Sequence, residues 1–142
     1  MTANIAALTR YPAKGEPGEA LREVKLLEDL GMERDFHQGS ERQLCLRTAE
    51  VRRWMDAQPQ KGICFGRFRE NILIEGLPDG TLPPGVRLCV GEAILQISAE
   101  RKRCHDDCKL FSQGVRCRLS ECAVFAIVER GGVIQVGDGV SL

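Results

Sequence analysis

The chain has 142 residues, 43% of them hydrophobic, with 20 Lys and Arg balanced by 20 Asp and Glu. That length suits one compact domain burying roughly two thirds of its unfolded-chain surface, so residues 1–142 are read as a single unit. A net charge of zero gives the whole molecule no attraction for nucleic acid or an anionic membrane, so neither is expected as a partner and any electrostatic function is local.

The opening MTANIAALTRYPAKG has no basic region ahead of a long apolar run, and no stretch of ~18 apolar residues follows anywhere. A soluble, cytoplasmic protein is expected, with most of its seven cysteines reduced rather than paired.

NIAALT at residues 3–8 is apolar without helical periodicity and reads as a strand. RYPAKGEPGE, punctuated by Pro12, Gly15, Pro17 and Gly18, reads as a loop. ALREVKLLEDLGMERD fits a helix by propensity and equally a strand around Val24 to Leu27 turning at Gly31. RQLCLRT alternates as a strand. TAEVRRWMDAQP is a short helix, with Thr48 as its N-cap and Pro59 beyond its end.

RENILIEGL, GVRLCVGEAILQIS, CAVFAIVERGG and GVIQVGDGVSL are short β-branched runs divided by turns. They include the echo of Val90-Gly91-Glu92 in Val136-Gly137-Asp138, and the second half reads as hairpins. Many short strands with one or two short helices argue for a mainly β, barrel-like domain rather than a doubly wound sheet.

Three segments hold the chemistry. KRCHDDCKLFSQGVRC, residues 102–117, carries Cys104, His105, Cys108 and Cys117, with Cys122 beyond. As a zinc or iron–sulfur cage it has enough soft ligands, but it lacks the C-x2-C knuckles of the usual structural sites. As a reactive thiol, Cys104 has the better setting, because Arg101, Lys102 and Arg103 precede it and favour the thiolate. Six Lys or Arg against two Asp between 101 and 118 give a local positive excess suited to an anion. Cys45, Cys64 and Cys89 sit between apolar neighbours and read as small buried hydrophobes.

The second segment, GMERDFHQGSERQ, brackets Glu33, Arg34, Asp35, His37 and Arg42 between Gly31 and Gly39, a polar loop able to converge on a ligand. In the third, GRFRENILIEGL, Arg67, Arg69, Glu70 and Asn71 lead into an apolar run, which on pattern alone is an edge strand with a solvated basic end. No phosphate-loop, dinucleotide or H-E-x-x-H signature occurs.

Together these segments resemble the MOSC domain, the module named after the C-terminal part of molybdenum cofactor sulfurase. The resemblance rests on Gly31-Met32-Glu33-Arg34-Asp35-Phe36-His37-Gln38-Gly39, on Arg69 to Ile72, and on RLCVGEAILQIS followed by Cys104. It continues through Cys104-His105-Asp106-Asp107-Cys108, Gly114 to Cys117, Phe125 to Val128 and Gly131 to Asp138, covering roughly residues 20–140 of the short, stand-alone type.

It implies a β-barrel whose characteristic cysteine, here Cys104, carries sulfur as a persulfide or acts beside molybdenum cofactor. His105, Cys108 and Cys117 would share the catalytic role, Cys108 or Cys117 by resolving the persulfide. Arg34, Asp35, His37, Arg69, Asn71, Arg101 and Arg103 become the residues expected around the anionic, phosphate-bearing molybdopterin. Cys122 stands where short members usually have a glycine, and is expected to be incidental.

The 142 residues include neither the extra N-terminal barrel of the cofactor-binding reductases nor the pyridoxal-phosphate desulfurase of the full-length sulfurases. Cofactor contact is therefore expected to be transient, pyridoxal phosphate is not expected on this chain, and the sulfur comes from a cysteine desulfurase for delivery to a molybdoenzyme or its cofactor. Two alternatives remain. One is a binding module without turnover, holding zinc through Cys104, Cys108 and Cys117 or holding molybdenum cofactor. The other is reduction of N-hydroxylated substrates.

Overall fold

A computed structural model describes residues 3–40, 43–57, 70–77, 82–101 and 124–142. Its strands are β1 (Ala3–Arg10), β2 (Glu19–Leu21), β3 (Glu23–Leu27), β4 (Gly31–Met32), β5 (Leu44–Thr48), β6 (Ile72–Glu75), β7 (Arg87–Val90), β8 (Ala93–Arg101), β9 (Val124–Arg130), β10 (Gly132–Gln135) and β11 (Gly139–Ser141). The helix described is α1 (Ala49–Ala57).

Strands β11, β7, β8, β9, β5, β6 and β1 follow one another, and β1 pairs back onto β11, which closes a barrel. β2 extends outward from β1, while β10, β3 and β4 form a separate small sheet. Closure leaves the seven barrel strands without a free edge, so their apolar faces turn to one interior.

Period-two alternation explains which residues fill it. Leu88 and Val90 of β7, Ala93, Leu95 and Ile97 of β8, and Val124, Ala126 and Val128 of β9 are all within 2% of full burial. β1 breaks strict alternation, since Ile5 and Leu8 have opposite parity yet both are 1% exposed. A register shift between Ile5 and Ala7 against β6 supplies the extra residue that turns both inward.

α1 packs on β5 and β6, burying Ala49, Val51 and Met55. Its start is capped as the sequence indicates, with the Val51 N–H donating to Thr48 Oγ1 at 3.3 Å. Helix on one face and barrel interior on the other leave all five residues of β5 buried.

One open choice is settled and three expectations need correction. Within the stretch left open between helix and strand, Glu23–Leu27 and Gly31–Met32 are strands, Val24 and Leu26 facing the core while Glu23 and Lys25 face out. GVIQVGDGVSL is not a hairpin: β10 pairs with β3, whereas β11 pairs with β1 and β7. RENILIEGL is not an edge strand, because β6 lies between β5 and β1. Cys89 is exposed rather than buried, since Leu88 and Val90 take the inward positions on either side of it. Cys45 is buried as expected, and Cys64 lies outside the described residues.

Candidate functional site

The polar loop after β4 is shaped by its own main chain. Arg34 adopts the left-handed conformation at φ 64°, and the Asp35 N–H returns to the Met32 carbonyl at 3.1 Å. Gly31, at φ 121°, lies so close to the Gln43 main chain that a Cβ would sit 3.0 Å from the Gln43 carbonyl oxygen, so glycine is required there. Gln38 Nε2 donates to the Met32 carbonyl at 2.8 Å, and the Gly39 N–H donates to the Leu30 carbonyl at 3.0 Å. The loop is thereby folded back on β4, with Asp35 turned inward.

Asp35 is 3% exposed, and its carboxylate receives four hydrogen bonds. Oδ1 accepts from the Tyr11 N–H at 2.8 Å and from Asn71 Nδ2 at 3.0 Å. Oδ2 accepts from the His37 N–H at 3.0 Å and lies 2.7 Å from His37 Nδ1. Burial alone raises the pKa of this carboxyl. The bonds from the His37 ring and from the Tyr11 and His37 main chain, with the charge of His37, more than offset it, so Asp35 titrates below the ordinary carboxylate value. It is therefore an anion near neutral pH.

An ionised Asp35 accepts only, so His37 Nδ1 carries the proton it donates to Oδ2. The His37 side chain is 16% exposed and packs on Phe36, ring centroids 3.9 Å apart. Asn71, fully buried, fastens this unit to the barrel. Its Oδ1 accepts from the Cys45 N–H at 3.0 Å, its Nδ2 also donates to the Thr9 carbonyl at 3.2 Å, and its own N–H donates to the Cys45 carbonyl at 2.7 Å.

Asp35, His37 and Asn71, predicted from separate segments, thus form one hydrogen-bonded cluster, with Arg34 exposed beside it in the loop. Arg101 ends β8 and pairs with Val124. Val124 pairs with Leu46, and Leu46 with Ile72, the residue after Asn71. A single row therefore runs across four neighbouring strands from Arg101 to Ile72, three steps of roughly 4.8 Å each. Arg69, Arg103, Cys104, His105, Cys108, Cys117 and Cys122 lie outside the described residues.

Tyr11 was not singled out in the sequence. It is the chain's one tyrosine and ends the first strand region, a signal too slight to identify a site residue. Arg47 was missed too: it pairs with Glu70 and also donates to Met55 Sδ at 3.3 Å. Among the described residues no group of three or more His, Cys, Asp or Glu side chains is arranged to hold a metal ion. No described helix is long and apolar enough to cross a membrane.

The family model described as MOSC domain matches residues 33–141. Among solved structures, the YuaD protein from Bacillus subtilis superposes with a TM-score of 0.74 at 22% identity, covering 99% of this chain and 94% of that one. YiiM from Escherichia coli gives 0.64 at 21% identity over 100% of this chain and 69% of that one. YiiM from Geobacillus stearothermophilus gives 0.63 at 18% over 99% and 74%. At these identities the likeness is one of fold. No curated protein matches the sequence.

Proposed function

The chain belongs to the MOSC domain family, and on that footing we propose that it is a sulfur carrier acting through Cys104. The Cys104 thiolate attacks the outer sulfur of a persulfide on a cysteine desulfurase, and the desulfurase cysteine leaves as its thiolate. A second thiol, Cys108 or Cys117, then attacks the Cys104 sulfur, forming a disulfide with it and releasing the outer sulfur as sulfide to molybdenum cofactor or another metal–sulfur acceptor; a cytoplasmic dithiol reductant reopens the disulfide. The setting is the cytoplasm, where the remaining thiols stay reduced.

The observation that carries the proposal is the Asp35 cluster. Three family-motif positions meet in one buried unit that spends Asp35 and Asn71 on holding the His37 ring with a proton on Nδ1, with Nε2 as the ring nitrogen left for a ligand or a thiol proton. Arg34, exposed beside it, and His37 suit an anionic, phosphate-bearing acceptor, with Arg69, Arg101 and Arg103 adding charge from the segments that flank Asn71 and Cys104. Molybdenum cofactor is treated as the acceptor substrate, held briefly, and pyridoxal phosphate belongs to the donor.

Incubating the full chain with a cysteine desulfurase and cysteine tests this. The intact mass is expected to rise by one sulfur in the wild type and not in Cys104→Ser. Absence of a Cys104-dependent gain overturns the carrier role, and a stoichiometric zinc ion in that same protein points to the binding module instead.

A further inference from the structure

We infer that Tyr11 is a positioning residue of the site, the joint that ties the His37 loop to the Glu70-Asn71 segment. Tyr11 directly follows β1 and is 8% exposed. Its N–H donates to Asp35 Oδ1 at 2.8 Å, and its carbonyl accepts from the Phe36 N–H at 2.9 Å. Its hydroxyl, at the far end of the ring, donates to the Glu70 carbonyl at 3.2 Å. One residue thus holds the loop through its main chain and the approach to β6 through its side chain.

The Glu70 end of this joint is braced a second time. The Glu70 carboxylate pairs with Arg47 Nη2, both side chains being largely buried. Glu70, which separates Arg69 from Asn71, is therefore fixed at its carbonyl by Tyr11 and at its carboxylate by β5. The main-chain bonds at position 11 are open to any residue other than proline. The reach to Glu70 needs the tyrosine hydroxyl, which is why phenylalanine there separates positioning from folding.

The hydroxyl sets the spacing between the loop, where Asp35 orients His37, and the strand end, where Asn71 anchors Asp35. Besides it, Asn71 Nδ2 reaches Asp35 Oδ1 at 3.0 Å and Met32 Sδ at 3.9 Å between those two segments. The consequence for sulfur loading rests on the carrier reading above; the consequence for the His37 ring does not.

The test compares wild type with Tyr11→Phe in the full chain. Long-range proton–nitrogen spectra of the His37 ring are expected to show one ring state, protonated at Nδ1, in the wild type and a mixture of ring environments in Tyr11→Phe. Sulfur loading of Cys104 is expected to slow about tenfold, the upper end of what one net hydrogen bond supplies.

Unchanged His37 signals in Tyr11→Phe overturn the inference. If the wild type takes up no sulfur while the variant still splits the His37 signals, the joint stands and the carrier reading falls. Should Tyr11→Phe fail to fold, amide exchange of the wild type decides: a Phe36 N–H as protected as the β8 amides supports the joint, and rapid exchange overturns it.

Discussion

The β7–β8 hairpin and the Asp35 cluster are both buried, and they are held by opposite means. In the hairpin Val90 pairs with Ala93 across the turn and Leu88 with Leu95, so partners are close in sequence and the contact is apolar. In the cluster Asp35 reaches 24 residues back to Tyr11 and 36 forward to Asn71, and both of these contacts are hydrogen bonds with a defined donor. Apolar contacts lose strength gradually when altered, whereas a buried polar network fails when one member goes, because the remaining donors stay buried without partners.

The largest effect is therefore expected at Asp35. Asp35→Ala removes the acceptor for the Tyr11 and His37 amides, the His37 ring and Asn71 Nδ2, at a cost of about 3–5 kcal/mol in urea unfolding. Leu95→Ala, fully buried in the hairpin, is expected to cost about 3 kcal/mol by lost burial and the cavity left behind, with the His37 ring signals unchanged. If Leu95→Ala disturbs His37 as much as Asp35→Ala does, the two regions are not independent.

Acid sharpens the same contrast. The folded-state pKa of Asp35 lies below its unfolded value, so its stabilisation is complete above the unfolded value and disappears as pH falls through the folded one. Urea midpoints measured from neutral pH into the acid range are expected to fall less steeply in Asp35→Asn than in the wild type, while Leu95→Ala keeps the wild-type slope. A slope unchanged in Asp35→Asn contradicts the assignment.

The smallest effect belongs to the hairpin turn. Gly91 has φ 54°, and a Cβ there would meet Asp138 Oδ2 at 2.6 Å, the end of a side chain able to move. Gly91→Ala is expected to cost about 1–2 kcal/mol, the penalty of a left-handed non-glycine residue, read as a shift in thermal midpoint.

The same contrast decided what could be read in the sequence. The hairpin, the Thr48-capped helix and the barrel class were legible because they depend on alternation, caps and turns within a few residues. The helix-or-strand choice at 20–35 stayed open because β10, the partner that makes β3 a strand, lies over a hundred residues away. Cys89 was misread by its neighbours' character when its parity against Leu88 and Val90 set it outward. At the site Asp35, His37 and Asn71 were identified by motif, but their convergence was not, since a closed barrel brings β1, β6 and the loop after β4 together. Tyr11 stayed hidden for that reason, its role resting wholly on contacts far along the chain.

The most direct measurement is the rate of sulfur uptake at Cys104 from a cysteine desulfurase in two variants, Asp35→Asn and Leu95→Ala, compared under conditions where both are folded. If the cluster serves the thiol, loading slows at least tenfold in Asp35→Asn and stays near wild type in Leu95→Ala. Equal rates in the two variants would contradict a working link between the Asp35 cluster and Cys104.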